Sequence, residues 1–161
     1  ELVNFQTLEP LEDDFLDKFK KFSPNGIEIL SLKEIPKNTN EPKSLENYIQ
    51  WARYEATLND EKNHVYNLDK IRYIIEKCLS SDELLITKKT KKGIEKTINY
   101  RNSLKTFEIL DGNVLSFILK AGQNEEIPSL RADEFLKTLF YDSSIFKIKR
   151  VEFFDTNLRV I

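Results

Sequence analysis

The apolar positions of the chain switch repeatedly between the period of a strand and that of a helix. Residues 2–8 (Leu2-Val3-Asn4-Phe5-Gln6-Thr7-Leu8) place Val3 and Phe5 on one face and read as a strand closed by Pro10. An unpaired strand there would be an aggregation hazard, so it is expected to pair with sequence outside residues 1–161 or with a neighbouring chain. Leu11, Phe15, Leu16, Phe19 and Phe22 recur at helical spacing over 11–22. Glu12, Asp13 and Asp14 occupy the first turn, where the helix dipole favours anions. Pro24-Asn25-Gly26 stops this helix, and Ile27, Ile29, Leu30 and Leu32 mark a strand ending near Pro36. The polar stretch 36–43, with two prolines and no apolar anchor, reads as a linker, and a short helical turn follows at 44–47.

A second unit begins at Trp51. Residues 51–58 read as a strand with Tyr54, Ala56 and Leu58 on one face, and 59–67 as a polar loop. Ile71, Ile74, Ile75 and Leu79 form the buried stripe of a helix over 69–79. Strands at 83–87 and 94–100 flank a lysine-rich turn closing at Gly93. Strands at 106–110 and 114–120 flank Asp111-Gly112, the strongest short-range hairpin signal in the chain. A helix over 131–141 buries Phe135, Leu136, Leu139 and Phe140, with Ser129 or a neighbour as its cap. The final strand, 145–154, has Phe146, Ile148 and Val151 as core positions and a register break near Lys149-Arg150. This order predicts an α+β fold: a ferredoxin-like split βαβ sheet with an inserted hairpin, preceded by a βαβ half-unit of a second such module. The expected divisions are 1–36 for the half-unit, 37–48 for linker and short helix, and 49–161 for the ferredoxin-like domain.

Several short segments, taken in order, carry a family resemblance. They are Ser23-Pro24-Asn25-Gly26-Ile27, Ile35-Pro36, Trp51-Ala52-Arg53-Tyr54, Lys91-Lys92-Gly93, Ile98-Asn99-Tyr100-Arg101, and Ser129-Leu130-Arg131-Ala132-Asp133-Glu134-Phe135-Leu136. Through these the chain resembles, over roughly residues 1–154, the C-terminal portion of a bacterial radical SAM-associated domain of unknown function. Ala132 stands where that family has Pro, which helps a first helical turn without being required. The family's Ser-His-Leu-Asp and Gly-Phe-Asn-Pro-His-Pro segments do not occur here. The resemblance implies partnership with a radical SAM enzyme, fused or separate. It places any iron-sulfur cluster and S-adenosylmethionine in that partner and no cofactor in this chain.

Composition narrows the chemistry. A radical SAM cluster needs three cysteine thiolates, and only Cys78 is present. Cys78 also excludes an internal disulfide and reads as a small buried residue. His64 and Cys78 fall short of a zinc set, and His64, in a polar loop, reads as solvated. Four glycines provide no phosphate loop. The carboxylate pairs Asp13-Asp14, Asp60-Glu61, Glu125-Glu126 and Asp133-Glu134 lie in loops or first helical turns, where solvation or capping accounts for them. No catalytic or metal-binding residue is assigned, and the chain is not expected to be an enzyme. The apolar runs are too short to span a bilayer, no signal peptide is visible, and a cytosolic location is the default expectation.

Charge is segregated. Residues 86–105 carry +6, whereas the whole chain carries −2, leaving −8 elsewhere. Such a hairpin can track a phosphate backbone, so Lys88, Lys89, Lys91, Lys92, Lys96, Tyr100 and Arg101 are candidate nucleic-acid-binding residues. Tyr100 would supply a stacking surface and Arg101 a bidentate donor. Lysines at a hairpin tip equally guard a sheet edge or meet an acidic partner. Lys147, Lys149 and Arg150 would extend the patch if the last strand lay beside the hairpin, and Trp51 reads as core packing. Two roles remain: an accessory module presenting a surface to a substrate such as RNA or to a partner, or a structural interaction domain with no nucleic-acid role.

Overall fold

The structure, a computed structural model, describes residues 9–29, 32, 48–59, 66–89, 93–111, 114–122 and 126–161. The chain divides into two compact units, Glu1–Glu41 and Pro42–Ile161. In the first unit, α1 spans Phe15–Lys21, shorter than the apolar pattern suggests at its N-terminal end. Asp14 stands at the N-cap without bonding a helical N–H. Its carboxylate instead lies 3.0 Å from Lys18, which also reaches Glu12 at 2.7 Å. Phe15 and Phe19 stack one turn apart, and the turn at Pro24–Ile27 stops the helix where its sequence indicates. Ile27, Glu28 and Ile29 lie in no strand. The expected strand at 2–8, the linker at 36–43 and the turn at 44–47 lie outside the described residues.

The second unit carries β1 (Trp51–Leu58), α2 (Leu68–Ser80), β2 (Leu85–Lys89), β3 (Glu95–Asn99), β4 (Leu104–Ile109), β5 (Val114–Lys120), α3 (Ala132–Phe140) and β6 (Phe146–Phe154). Four strands form an antiparallel sheet in the order β4-β5-β1-β6. With α2 and α3 as crossovers, this is the split βαβ arrangement of a ferredoxin-like fold. β2 and β3 pair separately as an inserted two-stranded hairpin.

Strand pairing sets the two faces of the large sheet, because directly opposed residues project to the same side. Tyr54, Ala56 and Leu58 line up with Phe117 and Leu115, then with Phe107 and Ile109. Against this face pack Ile71, Ile75 and Cys78 of α2 and Phe135, Leu136 and Phe140 of α3. Phe117 and Phe135 have ring centroids 5.0 Å apart, and Phe107 meets Phe135 edge-on at 5.1 Å, a geometry aromatic pairs favour. Asn67 caps α2 by accepting from the Lys70 N–H at 2.9 Å. Arg131, rather than Ser129, precedes α3, and its guanidinium turns forward to grip Asp133.

Three details depart from the periodicity. β2 starts two residues late because the Ser81 hydroxyl and Glu83 close a local turn, after which the Asn99 side chain accepts from the Leu84 N–H. β4 begins earlier than its pattern, at Leu104, and Lys105 is the extra residue between the Leu104 and Thr106 pairings. In β6 the register shifts opposite Arg53 and Tyr54, leaving Val151 as the bulged residue, one place beyond the expected break.

Candidate nucleic-acid interface

The β2–β3 hairpin carries Lys88, Lys89 and Lys96 of the sequence-predicted residues. Its inner face sets Ile86 opposite Ile98 and Lys88 opposite Lys96. Ile86 is buried in the core and Ile98 packs against it, so the hairpin is rooted on the domain by its apolar end. The outer face shows Thr87 hydrogen-bonded to Thr97 at 2.8 Å and Lys89 lying 3.7 Å from Glu95. Gly93 holds φ +78°, a left-handed backbone that accounts for glycine at the turn.

The charged members are engaged to different degrees. The Lys88 ammonium pairs with Glu134 of α3 at 2.6 Å and lies 4.7 Å from the centre of the Tyr100 ring. Burial alone would lower its pKa, but the Glu134 carboxylate and the Tyr100 hydroxyl together raise it. Lys88 therefore ties the hairpin to α3, which also relieves its position opposite Lys96. Lys89 and Lys96 are exposed. Lys91 and Lys92 lie outside the described residues, as does His64.

Tyr100 and Arg101 serve the fold. Tyr100 is 3% exposed, so its ring offers no face for a base. The Arg101 guanidinium donates to the Ser81 carbonyl at 2.9 Å and the Leu79 carbonyl at 3.2 Å, satisfying the C-terminal end of α2. Asn99 accepts from the backbone N–H groups of both Leu84 and Arg101, locking the same corner. Cys78 is buried on α2; burial raises its thiol pKa, with Arg101 opposing. Of the carboxylate pairs, Asp133 is held by Arg131 and Glu134 by Lys88.

A second basic group, not singled out by sequence, lies at one end of the face opposite the helices. There Trp51 of β1 pairs with Lys120 of β5 on one side and Phe154 of β6 on the other. Trp51 is buried, but outside the helix-covered core that its sequence suggests. The Lys105 and Lys120 ammonium groups lie 4.5 Å and 5.3 Å from the centre of its ring. Lys120 is 2% exposed and donates to the Gln50 side-chain oxygen. Burial, then the Lys105 charge, lowers its pKa. An open cleft of about 410 Å³ adjoins Lys105, lined also by Asp82, Arg101, Asn102, Leu104 and Ile127. Lys147, Lys149 and Arg150 sit on β6, at the sheet edge away from β4, and not in the hairpin's sheet. The available sequence signal was Lys120 itself, a cation closing a strand that is apolar but for Ser116.

Among the described residues no helix is long and apolar enough to cross a membrane, and no three His, Cys, Asp or Glu side chains gather as a metal site. No curated protein and no solved structure matches the chain. A family described as an uncharacterized protein conserved in bacteria (DUF2344) matches residues 1–129, and the chain belongs to that family.

Proposed function

We propose that the chain is a non-catalytic accessory module of a radical SAM system that offers its basic hairpin to a polyanionic substrate, RNA being the class that fits. The observation carrying this reading is the placement of Lys89 and Lys96 on a hairpin with its own two-stranded pairing, in a segment of charge +6. The radical SAM partnership draws on the resemblance in the ordered motifs from Ser23-Pro24 to Phe135-Leu136. An iron-sulfur cluster and S-adenosylmethionine belong to the partner, since the single buried thiol Cys78 cannot supply the thiolates a cluster needs.

Phosphate contacts made by lysines release counterions, so binding of this kind weakens steeply with salt. Fluorescence anisotropy with single-stranded RNA across a salt series tests it. Replacing Lys89, Lys91, Lys92 and Lys96 by Glu is expected to abolish binding. Single replacements by Ala are expected to lower the salt slope by about one each. An affinity indifferent to these changes overturns the hairpin as the contact. Lys88 is left unchanged because it pairs with Glu134.

The Lys88–Glu134 and Lys89–Glu95 ion pairs favour a second reading, a structural interaction domain whose lysines hold and shield the hairpin. No RNA binding at low salt, together with loss of hairpin order in Lys88→Met, is the outcome that supports it.

A further inference from the structure

A buried ammonium normally has a carboxylate beside it, because desolvating an unpaired charge is costly. Lys120 does not follow that rule. It is 2% exposed, its side-chain partners are the neutral Gln50 oxygen and the Trp51 ring, and a second cation, Lys105, reaches the same ring. Both nitrogens lie within about 5 Å of one ring centre, so they are at most about 10 Å apart. Neither lysine forms an ion pair with a carboxylate among the described residues. Lys105 is exposed and borders the cleft between 82 and 127, where Arg101 adds a positive charge against the single carboxylate of Asp82. The fold thus brings two like charges onto one indole and opens one of them to a cavity.

We infer that Lys105 and Lys120, seated on Trp51, form a binding site for a phosphate-class oxyanion entering by this cleft. Lys105 contacts the anion from the open side, and Lys120 supplies positive charge from behind it. Gln50 orients the Lys120 ammonium, and Trp51 holds both lysine stems apart from the apolar core. The anion would relieve the repulsion between the two ammonium groups, and this relief is the free energy that favours binding. The cleft is large enough for a phosphate ester rather than a bare ion alone. The site uses residues of β1, β4 and β5 and does not rest on the hairpin reading.

Trp51 is the only tryptophan, so its emission reports on this site directly. The intact chain is titrated with pyrophosphate, with glycerol phosphate and with a short single-stranded RNA, holding ionic strength constant with sodium chloride. A saturable change in Trp51 emission is expected. Lys105→Ala should weaken it roughly tenfold or more, the scale of one charge-assisted contact, while replacing the exposed helix lysines Lys77 and Lys137 by Ala leaves it unchanged. Lys105 is exposed, so that variant should keep its fold. Lys120→Met, which retains the stem over the ring, is expected to act in the same direction. A response to the small phosphates alone assigns the site to a phosphate ester, and one to RNA assigns it to a backbone phosphate. Emission that follows ionic strength only, or that is the same in Lys105→Ala, overturns the site.

Discussion

In the four-stranded sheet, Phe107, Leu115, Phe117 and Ala56 meet two helices across a continuous apolar layer. Within the β2–β3 strands only Ile86 is buried in that layer, with Ile98 packed against it and Leu84 and Tyr100 buried at the hairpin's base. Polar pins add to this narrow apolar root. Arg101 bonds the end of α2, Asn99 bonds two backbone N–H groups, and Lys88 reaches Glu134. Dispersion and burial are spread over many contacts, whereas a directional pin fails when one atom is lost. The hairpin should therefore open locally at a free energy well below that of global unfolding.

The largest effects should fall in the sheet. Phe135 is fully buried and touches both Phe107 and Phe117, so Phe135→Ala should cost about 3–5 kcal/mol in urea unfolding. Loss from the sheet and hairpin together is expected, because the hairpin is rooted on the same core. Next comes Gly122. A Cβ there would sit 2.1 Å from the Ile49 carbonyl oxygen, a backbone atom that cannot rotate away. Gly122→Ala should cost about 1–3 kcal/mol and disturb the Gln50 carbonyl, which accepts from both the Ala121 and Gly122 N–H groups. Stability unchanged in this variant would show that the 49–50 strand entry is free to shift.

Arg101→Met sharpens the comparison itself. It leaves the Ser81 and Leu79 carbonyls without their donor, at a cost of about 1–3 kcal/mol. Native-state hydrogen exchange should show the β2–β3 amides losing protection while those of β1 and β5 keep theirs. Equal loss in both regions would mean that the hairpin and the sheet open as one unit.

These differences mark what a single sequence conveys. The strand faces are written in local alternation: Tyr54, Ala56 and Leu58 face the helices, and Asp111 begins the turn between two antiparallel strands. Helix α2 follows its isoleucines, with each end one residue beyond the expected 69–79. The roles of Tyr100 and Arg101 are not local. A tyrosine followed by an arginine at a strand end has the composition of a binding surface, and only the return of the chain past the end of α2 reveals a buried ring and a helix cap. The charge of Lys120 is visible at the end of a mostly apolar strand, but its burial and the approach of Lys105 to the same ring are tertiary and carry no local signal. Residue type gave the chemistry available at each position, and the tertiary neighbours decided which of it is used inside the fold.

The smallest effect separates the two lysines by sign. The pKa of Lys88 is raised in the folded chain, so its contribution to stability is complete below the unfolded-state pKa and is lost as pH rises through the folded value. The pKa of Lys120 is lowered, so folding is penalised while the unfolded lysine still holds its proton, and stability rises as pH passes upward from the folded value to the unfolded one. Unfolding midpoints in urea, followed from neutral to strongly alkaline pH, should reveal opposite slopes. The advantage of the wild-type chain over Lys88→Met should shrink as pH rises, from about 0.2–1 kcal/mol, the range of a partly exposed pair. Its balance against Lys120→Met should shift towards the wild type over the same range. Parallel slopes in the two variants would mean that Lys120 is as well solvated or as well paired as Lys88. The contrast between a pinned hairpin lysine and an uncompensated lysine in the sheet would then fail.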